Sequence, residues 1–260
     1  MRIFILGTGR MGAWLTEELC WEHEVCVHDA ELERMKYFIK VRRILDVAEV
    51  EDFAPELFIN CIPLGTTVEV FERLLPLLPA NCMLSDIASV KTGLADFYRR
   101  SGHPFVSTHP MFGPTFGNIR DLSDESAVII SESDEAGKEF FRSFYSRLGI
   151  KIFESDFEGH DATVAYSLAT PFASTMVFAA CMKHQAAPGT NFKRHMIIAK
   201  GLLSEDDRLL AEVMFNPYTI RQLELINSKL SYLTHIIAQR DFEEMKKFLD
   251  SLRENIKEKP

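Results

Sequence analysis

A histidine flanked by proline and glycine is the first feature of this sequence that could do chemistry. His109 lies in the segment Ser-Thr-His-Pro-Met-Phe-Gly-Pro-Thr, residues 107–115, directly after the short apolar run of residues 104–106. Prolines fix φ and lack an N–H donor, while glycine relaxes the backbone. We therefore predict a stiff, irregular loop just past a strand, from which His109 points toward a ligand. The alternative is a turn with a solvated or hydrogen-bonded histidine.

A second chemical feature is the glycine-rich segment Gly7-Thr8-Gly9-Arg10-Met11-Gly12. It follows an apolar run, residues 2–6, that suits a buried parallel strand, and it opens a helical pattern. Another strand-like run, residues 24–28, ends in Asp29. In this strand–turn–helix context, G-x-G-x-x-G followed by an acidic residue predicts a dinucleotide-binding site. A glycine turn without a ligand is the alternative.

Each residue type in this pattern has a physical reason. The first glycine allows the tight turn, the second lets the backbone approach a pyrophosphate, and the third lets helix and strand pack closely. The N–H groups at the helix N-terminus then face the phosphates. Asp29, with Ala30 and Glu31 rather than an arginine next to it, accepts hydrogen bonds from a ribose 2′-OH and repels a 2′-phosphate. The predicted cofactor is therefore NAD, not NADP.

The elements that must position these residues alternate between strand and helix. Further strands are predicted at 57–62, 82–87, 127–130 and 151–153, and helices at 31–40, 66–78, 94–100 and 135–148. Alternation of this kind predicts a Rossmann-type, doubly wound, mostly parallel sheet covered by helices. Ile62 and Pro63, where the strand at 57–62 stops, are assigned to the cofactor site together with all six residues 7–12. Arg42 and Arg43 are interpreted as a solvated face.

The strand signal stops at about residue 156. Residues 162–182 are apolar and predict a buried helix that Pro171 kinks or divides. Residues 192–203, 207–214 and 217–239 predict further helices, and Asp241 opens a terminal one. We therefore predict a dinucleotide-binding domain over 1–155 and an all-helical domain over 156–260. So much apolar surface in a small helical domain predicts burial against a second copy, a homodimer.

Composition narrows the classes of function. The chain has 260 residues, 47% of them hydrophobic, and a net charge of -9. It has no basic cluster beyond Arg42-Arg43 and Lys193-Arg194, so nucleic acid and membranes are not expected partners. No uninterrupted apolar run has the length of a membrane span, and no signal peptide is expected. The five scattered cysteines lack a Cys-x-x-Cys pattern, which predicts reduced thiols in a cytoplasm and no metal site.

These motifs together resemble the prephenate dehydrogenase family of tyrosine biosynthesis. The resemblance covers nearly the whole chain and rests on the glycine segment, on Asp-Ile-Ala-Ser-Val-Lys at 86–91, on His-Pro-Met-Phe-Gly-Pro at 109–114, and on His160-Asp161. It implies a nucleotide-binding domain and a helical domain that interlocks into a dimer. It also implies oxidation of prephenate with NAD⁺ or NADP⁺ and release of CO₂, giving 4-hydroxyphenylpyruvate.

The resemblance also implies roles for individual residues. His109 corresponds to the catalytic base that takes the proton of the ring hydroxyl, and Ser89 to a serine that hydrogen-bonds both this histidine and the hydroxyl. Lys91 either has a structural role or holds a ligand carboxylate. Gly113 and Thr115, near His109, are assigned to the substrate site.

Two positions depart from the family pattern. Phe172 stands where members commonly carry a histidine, just after Pro171. Lys200 stands where members carry an arginine that pairs with the substrate's side-chain carboxylate, and lysine lacks the bidentate fork. Lys200, Lys193 or Arg194 could supply this contact. Prephenate and its transaminated form, arogenate, therefore both remain candidate substrates.

Two rivals remain besides arogenate dehydrogenase. A nucleotide-sensing protein without turnover would keep residues 7–12 but would have no use for Ser89 and His109. A hydroxyacid dehydrogenase of related architecture would not need the His109 segment. The resemblance therefore implies a monofunctional, NAD-dependent prephenate dehydrogenase, with arogenate dehydrogenase as the alternative on the same scaffold.

Overall fold

The computed structural model of the chain describes residues 1–113, 121–183 and 186–257. Within these residues, one sheet of eight strands has the order β3-β2-β1-β4-β5-β6-β7-β8. The strands are β1 Arg2–Leu6, β2 Glu24–His28, β3 Arg42–Arg43, β4 Leu57–Asn60, β5 Met83–Asp86, β6 Phe105–Pro110, β7 Ser126–Ile130 and β8 Lys151–Ser155.

The sheet is parallel from β3 through β6. β7 pairs antiparallel with β6 and β8 pairs parallel with β7, so both of these strands run opposite to the others. The strand order reverses between β1 and β4, which is the point at which doubly wound sheets bind ligands beyond their strand ends. The predicted fold class, a mostly parallel Rossmann-type sheet followed by a helical region, is confirmed.

Helices cover both faces of the sheet, and the described residues after β8 form helices and no further strand. The helices are α1 Arg10–Leu19, α2 Val50–Phe53, α3 Leu64–Leu74, α4 Leu94–Ser101, α5 Glu135–Arg147, α6 Phe157–Val164, α7 Thr170–Ala180, α8 Thr190–Leu202, α9 Asp207–Met214, α10 Thr219–Gln239 and α11 Phe242–Asn255. One hydrophobic core lies between the sheet and α1 with α5, and the other lies between the sheet and α3 with α4.

The predicted helix over residues 31–40 is wrong. Only a 3₁₀ turn, Leu32–Met35, forms there, and of its residues only Met35 is buried. Phe38 is partly buried against the core, but Leu32, Tyr37 and Ile39 are exposed, with Ile39 87% exposed. The chain instead returns to the sheet as β3, which pairs with β2 through the two arginines that the sequence suggested only as a solvated face.

His109 lies within a strand, not on the loop that the sequence predicted. Strand β6 continues through Pro110 because the antiparallel neighbour β7 extends the ladder, with His109 opposite Val128. Pro110 is tolerated at the last strand position, where its missing N–H is least needed. The imidazole is therefore held by sheet backbone instead of by a stiff turn.

The first long helix of the helical half is continuous. The segment Phe157–Ala180 contains a π-helical stretch, Ala165–Ala169, between α6 and α7, and Pro171 follows it without a break in the helix. A π stretch of this kind changes the backbone hydrogen bonding just before Pro171, so that the helix continues although proline has no N–H to donate. By length and composition this helix of 24 residues could cross a membrane, although core helices of soluble proteins pass the same test.

Candidate active site

The three glycines of residues 7–12 have three different environments. Gly7 has φ +89°, in the left-handed region that favours glycine. A Cβ on Gly12 would lie 1.9 Å from the Gly7 carbonyl oxygen, whereas a Cβ on Gly9 would meet nothing within 4 Å. Gly7 and Gly12 are thus required by the fold itself, and Gly9 faces open space. A pyrophosphate would need that space, so the segment fits a dinucleotide.

The segment leads directly into the N-terminus of α1. Gly9 is the N-cap residue and supplies no side-chain hydrogen bond to the helix. The first N–H groups of α1 can therefore serve a bound anion, which the helix dipole favours. The Arg10 guanidinium lies at the same end of the helix, 3.4 Å from Glu205 of the helical half. Met11 packs on the core beneath.

Asp29 is buried beside this loop at the end of β2. Its Oδ2 accepts hydrogen bonds from the Thr8 backbone N–H at 2.6 Å and from the Thr8 hydroxyl at 3.0 Å. Its Oδ1 accepts the Glu31 N–H at 2.8 Å. The structure also brings Arg34 to 4.0 Å from Oδ2, so an arginine stands next to Asp29 although the sequence places none beside it.

The end of β4 forms the other wall of the glycine loop. Ile62 approaches Gly7, and Pro63 caps α3, whose Gly65 N–H donates to Glu212 at 3.0 Å. Asn60 Oδ1 accepts the Ile62 N–H, but the buried Asn60 amide nitrogen has no partner among the described residues. An unused buried donor at this point again fits a polar ligand.

His109 is the end of a chain of three side chains. Its Nδ1 lies 3.0 Å from Nε2 of His160, and Nδ1 of His160 lies 3.0 Å from Oδ1 of Asp161. Asp161 is fixed in turn, because it accepts the Lys91 backbone N–H at 2.7 Å and the Thr92 hydroxyl at 3.0 Å. The His109, His160 and Asp161 side chains are called the relay below.

The relay selects one tautomer for each neutral imidazole. The Asp161 carboxylate only accepts, so His160 carries its proton on Nδ1 and offers a lone pair on Nε2. His109 must then donate from Nδ1, which leaves its own Nε2 unprotonated. The relay therefore presents a basic nitrogen of defined orientation.

The electrostatics of the relay favour the neutral form of His109. Burial, together with the nearby His160 and Lys91, holds the pKa of His109 well below its ordinary value of 6.5. Burial also lowers the pKa of His160, although its bond to Asp161 opposes this shift. A neutral imidazole at physiological pH is the form required of a general base.

Lys91 has the structural role that the sequence left open. Its ammonium is fully buried and donates to Asp86 Oδ2 at 2.5 Å and to the Thr108 carbonyl at 2.8 Å. The Tyr98 hydroxyl donates to the other oxygen of Asp86 at 2.8 Å. Burial lowers the pKa of Lys91, and the Asp86 carboxylate opposes this shift. This pair ties β5 to β6 beneath His109, and the two bonds use two of the three ammonium protons within the buried cluster.

The other residues predicted to lie near His109 are Ser89, Gly113 and Thr115. Ser89 is half-buried, and no hydrogen bond joins it to His109 within the described residues, where His160 takes the orienting position expected of the serine. Gly113 lies near Glu205 of the helical half. Thr115 falls outside the described residues.

The basic residues predicted to bind the substrate side chain lie on α8. Lys193 and Lys200 are exposed and line an open groove of about 390 Å³. Among the described contacts, no hydrogen bond or ion pair joins either lysine to the relay. Phe172 is half-buried in α7. The described contacts therefore join His109, His160 and Asp161, but they do not bring Lys193 or Lys200 to them.

Sequence reasoning gave His160 and Asp161 no role of their own. They entered only as part of the family resemblance, because 51 residues separate His160 from His109 and no spacing rule connects them. Asn216, whose side-chain amide donates to the Asp161 carbonyl at 2.8 Å, gave no signal at all.

A known protein family matches the sheet-forming part of the chain. The family described as prephenate dehydrogenase, nucleotide-binding domain, matches residues 18–149. The chain belongs to the prephenate dehydrogenase family. The matched region contains Ser89, Lys91 and His109, and it begins after the glycine segment.

Two curated relatives in this family are distant. A T-protein of Haemophilus influenzae is 23% identical over 62% of this chain and 44% of its own length. A probable arogenate/prephenate dehydrogenase of Methanocaldococcus jannaschii is 24% identical over 67% of this chain and 40% of its own length. The chain thus spans less than half the length of these relatives.

Solved structures share the fold over the whole chain. Prephenate dehydrogenase from Aquifex aeolicus, in complex with hydroxyphenyl propionate and NAD⁺, has a TM-score of 0.83 at 19% identity, with 98% of this chain and 96% of that chain covered. Synechocystis arogenate dehydrogenase has a TM-score of 0.75 at 18% identity, with 98% of each chain covered. At such identities the likeness establishes the fold alone.

Proposed function

We propose that this member of the prephenate dehydrogenase family oxidises prephenate to 4-hydroxyphenylpyruvate and CO₂, with NAD⁺ as the hydride acceptor. The observation that carries the proposal is the relay, which aims an unprotonated nitrogen of a buried, neutral histidine from the sheet that also holds residues 7–12. A sensing protein without turnover would have no use for such a base.

The cofactor would be held by the groups described above. The open side of Gly9 and the N-terminus of α1 receive the pyrophosphate, and Arg10 adds a positive charge. Asp29 accepts a hydrogen bond from the ribose. NAD⁺, when bound, supplies the acceptor for the hydride from the ring carbon that bears the hydroxyl group.

The chain itself handles the proton. His109 Nε2 accepts the proton of the ring hydroxyl, and the positive charge that forms on its ring is stabilised through His160 by the Asp161 carboxylate. A base that is positioned in this way typically contributes about 10²–10⁴-fold in rate. Loss of CO₂ and formation of the aromatic ring then follow from the chemistry of the substrate.

Substrate contacts complete the proposal. Ser89 would bond the ring hydroxyl, and Gly113 and Thr115 would line the ring. Lys200 or Lys193 would meet the side-chain carboxylate after movement of α8 or in an assembly of two chains. Arogenate carries an ammonium group where prephenate carries a ketone, and it is the alternative substrate on the same scaffold.

The test is a steady-state assay of NADH formation at its absorbance band. Prephenate and arogenate are supplied in turn with NAD⁺, and the His109→Asn variant serves as the control for contaminating activity. A higher kcat/KM with prephenate supports the proposal. A higher value with arogenate assigns the alternative, and turnover of neither substrate by a folded, NAD⁺-binding protein rejects the function.

A further inference from the structure

Arg34 lies beside the carboxylate that the ribose of a bound dinucleotide would meet. It belongs to the 3₁₀ turn Leu32–Met35, which leads away from β2. Its Nη1 is 4.0 Å from Asp29 Oδ2, and its Nη2 is 2.8 Å from Glu31 Oε1. The Arg34 side chain is 48% exposed, so a ligand at the mouth of the site can reach the guanidinium.

The Asp29 side chain is held more firmly than the side chains of Glu31 and Arg34. Its carboxylate is buried and accepts three hydrogen bonds, two from Thr8 and one from the Glu31 backbone. Within the described part of the chain, the Glu31 and Arg34 side chains pair only with each other, apart from the longer Arg34–Asp29 approach. The position of the negative charge is therefore fixed, and the Glu31–Arg34 pair is the adjustable part.

The negative charge of Asp29 and the positive charge of Arg34 would therefore both lie near the 2′ position of the adenosine ribose. A carboxylate accepts a hydrogen bond from a 2′-OH and repels a 2′-phosphate, whereas a guanidinium binds phosphate through its forked donors. We propose that Arg34 is the contact for a 2′-phosphate and that Glu31 restrains it, so that this pair sets how strongly the chain prefers NAD⁺ over NADP⁺. This inference rests on the proposed function, because both require an adenine dinucleotide at residues 7–12.

Arg34 changes the cofactor preference that Asp29 alone would give. With Asp29 and no arginine nearby, NADP⁺ would be rejected strongly. With Arg34 at 4.0 Å, the charge of Asp29 is partly compensated, and NADP⁺ binds once the guanidinium turns from Glu31 toward the phosphate. The preference for NAD⁺ is then moderate and is adjustable from the turn.

Calorimetric titration of the full chain with NAD⁺ and with NADP⁺, without substrate, tests the inference. The two ligands differ only in the 2′-phosphate. Arg34→Gln should weaken the affinity for NADP⁺ by about tenfold, because one charge-assisted hydrogen bond is lost. The affinity for NAD⁺ should change by less than about twofold. Glu31→Gln should strengthen NADP⁺ by roughly threefold or more because it releases the guanidinium.

Lys36→Gln is the matched control. Lys36 caps the same turn and pairs with Glu33 at 3.1 Å, so its removal changes the net charge equally without touching the Asp29 site. An equal loss of NADP⁺ affinity in Lys36→Gln and Arg34→Gln would overturn the inference, because the effect would then be one of net charge. So would an unchanged ratio of the two affinities in Arg34→Gln. Failure of the wild-type chain to bind either nucleotide would instead reject the proposed function.

Discussion

The basicity of His109 Nε2 depends on which nitrogen of each imidazole carries the proton. The Asp161 carboxylate decides this for His160, and His160 in turn decides it for His109. Because Asp161 can only accept, each imidazole in the relay is left with a single neutral tautomer. Burial then keeps His109 neutral by lowering its pKa. Orientation and protonation state are thus both set before any substrate arrives.

His109→Asn should therefore lower kcat by ~10²-fold or more with little change in KM, because proton transfer belongs to the transition state. In the wild type, activity should rise with pH through a group whose pKa lies below 6.5, since only the neutral imidazole accepts a proton. Steady-state rates across pH measure both. Near-normal kcat in the variant, or an acidic limb that persists there, would show that His109 is not the base.

His160→Asn tests the positioning part of the relay. The variant leaves the base in place but removes the acceptor for its Nδ1–H, so kcat should fall by about tenfold, less than for loss of the base itself. His160 contacts His109 directly and contributes to its pKa, so the acidic limb should shift in the variant. A purely structural defect would lower the melting temperature without moving that limb. An unmoved limb in a folded variant would remove His160 from the mechanism.

At the scale of elements, the glycines of the glycine segment differ in whether the fold requires them. Gly12 lets α1 pack against the loop of Gly7, while Gly9 is not needed for packing at all. A sequence pattern cannot separate these two requirements, because all three glycines match the same motif. The structure separates them by what a Cβ would meet.

Paired substitutions measure this separation. Gly12→Ala places a methyl group 1.9 Å from the Gly7 carbonyl oxygen and should lower the free energy of unfolding by about 2 kcal/mol or more. Gly9→Ala meets no atom within 4 Å and should change it by less than about 0.5 kcal/mol. Gly9→Ala should nevertheless weaken the affinity for NAD⁺ by about tenfold, or about 1.4 kcal/mol of binding free energy. Denaturant melts and calorimetry report the two quantities, and unchanged NAD⁺ affinity in Gly9→Ala would place the pyrophosphate elsewhere.

The elements that could be predicted are those whose signal is local. Residues 2–6 and 24–28 form strands with the predicted bounds because each is a short apolar run between polar residues. The extension of β6 to Pro110 depends on its pairing with β7, and the relay depends on α6 reaching the sheet. Both are long-range contacts, so the sequence predicted His109 as a base but not its backbone setting or its partners.

At the scale of the whole molecule, the two halves of the chain bury their apolar residues to very different extents. The sheet has a filled core on each face. In the helical half, α11 buries no residue and α10 buries only Thr219 and Ile236. Large apolar side chains there are exposed, among them Val177, Ile197, Ile198, Phe215, Ile220, Leu225, Leu230 and Ile237. Apolar surface of this extent is typical of an interface.

We expect the chain to form a homodimer through these helices, because association would remove this surface from water. Light scattering should report twice the chain mass at micromolar concentration. Ile197→Asp, on α8 at 71% exposure, should shift the population toward monomer, since a carboxylate is costly to bury. Ile39→Asp is the matched control, because Ile39 is at least as exposed but lies on the nucleotide-binding side, and it should leave the dimer intact. A wild-type chain that stays monomeric at these concentrations would contradict the expectation.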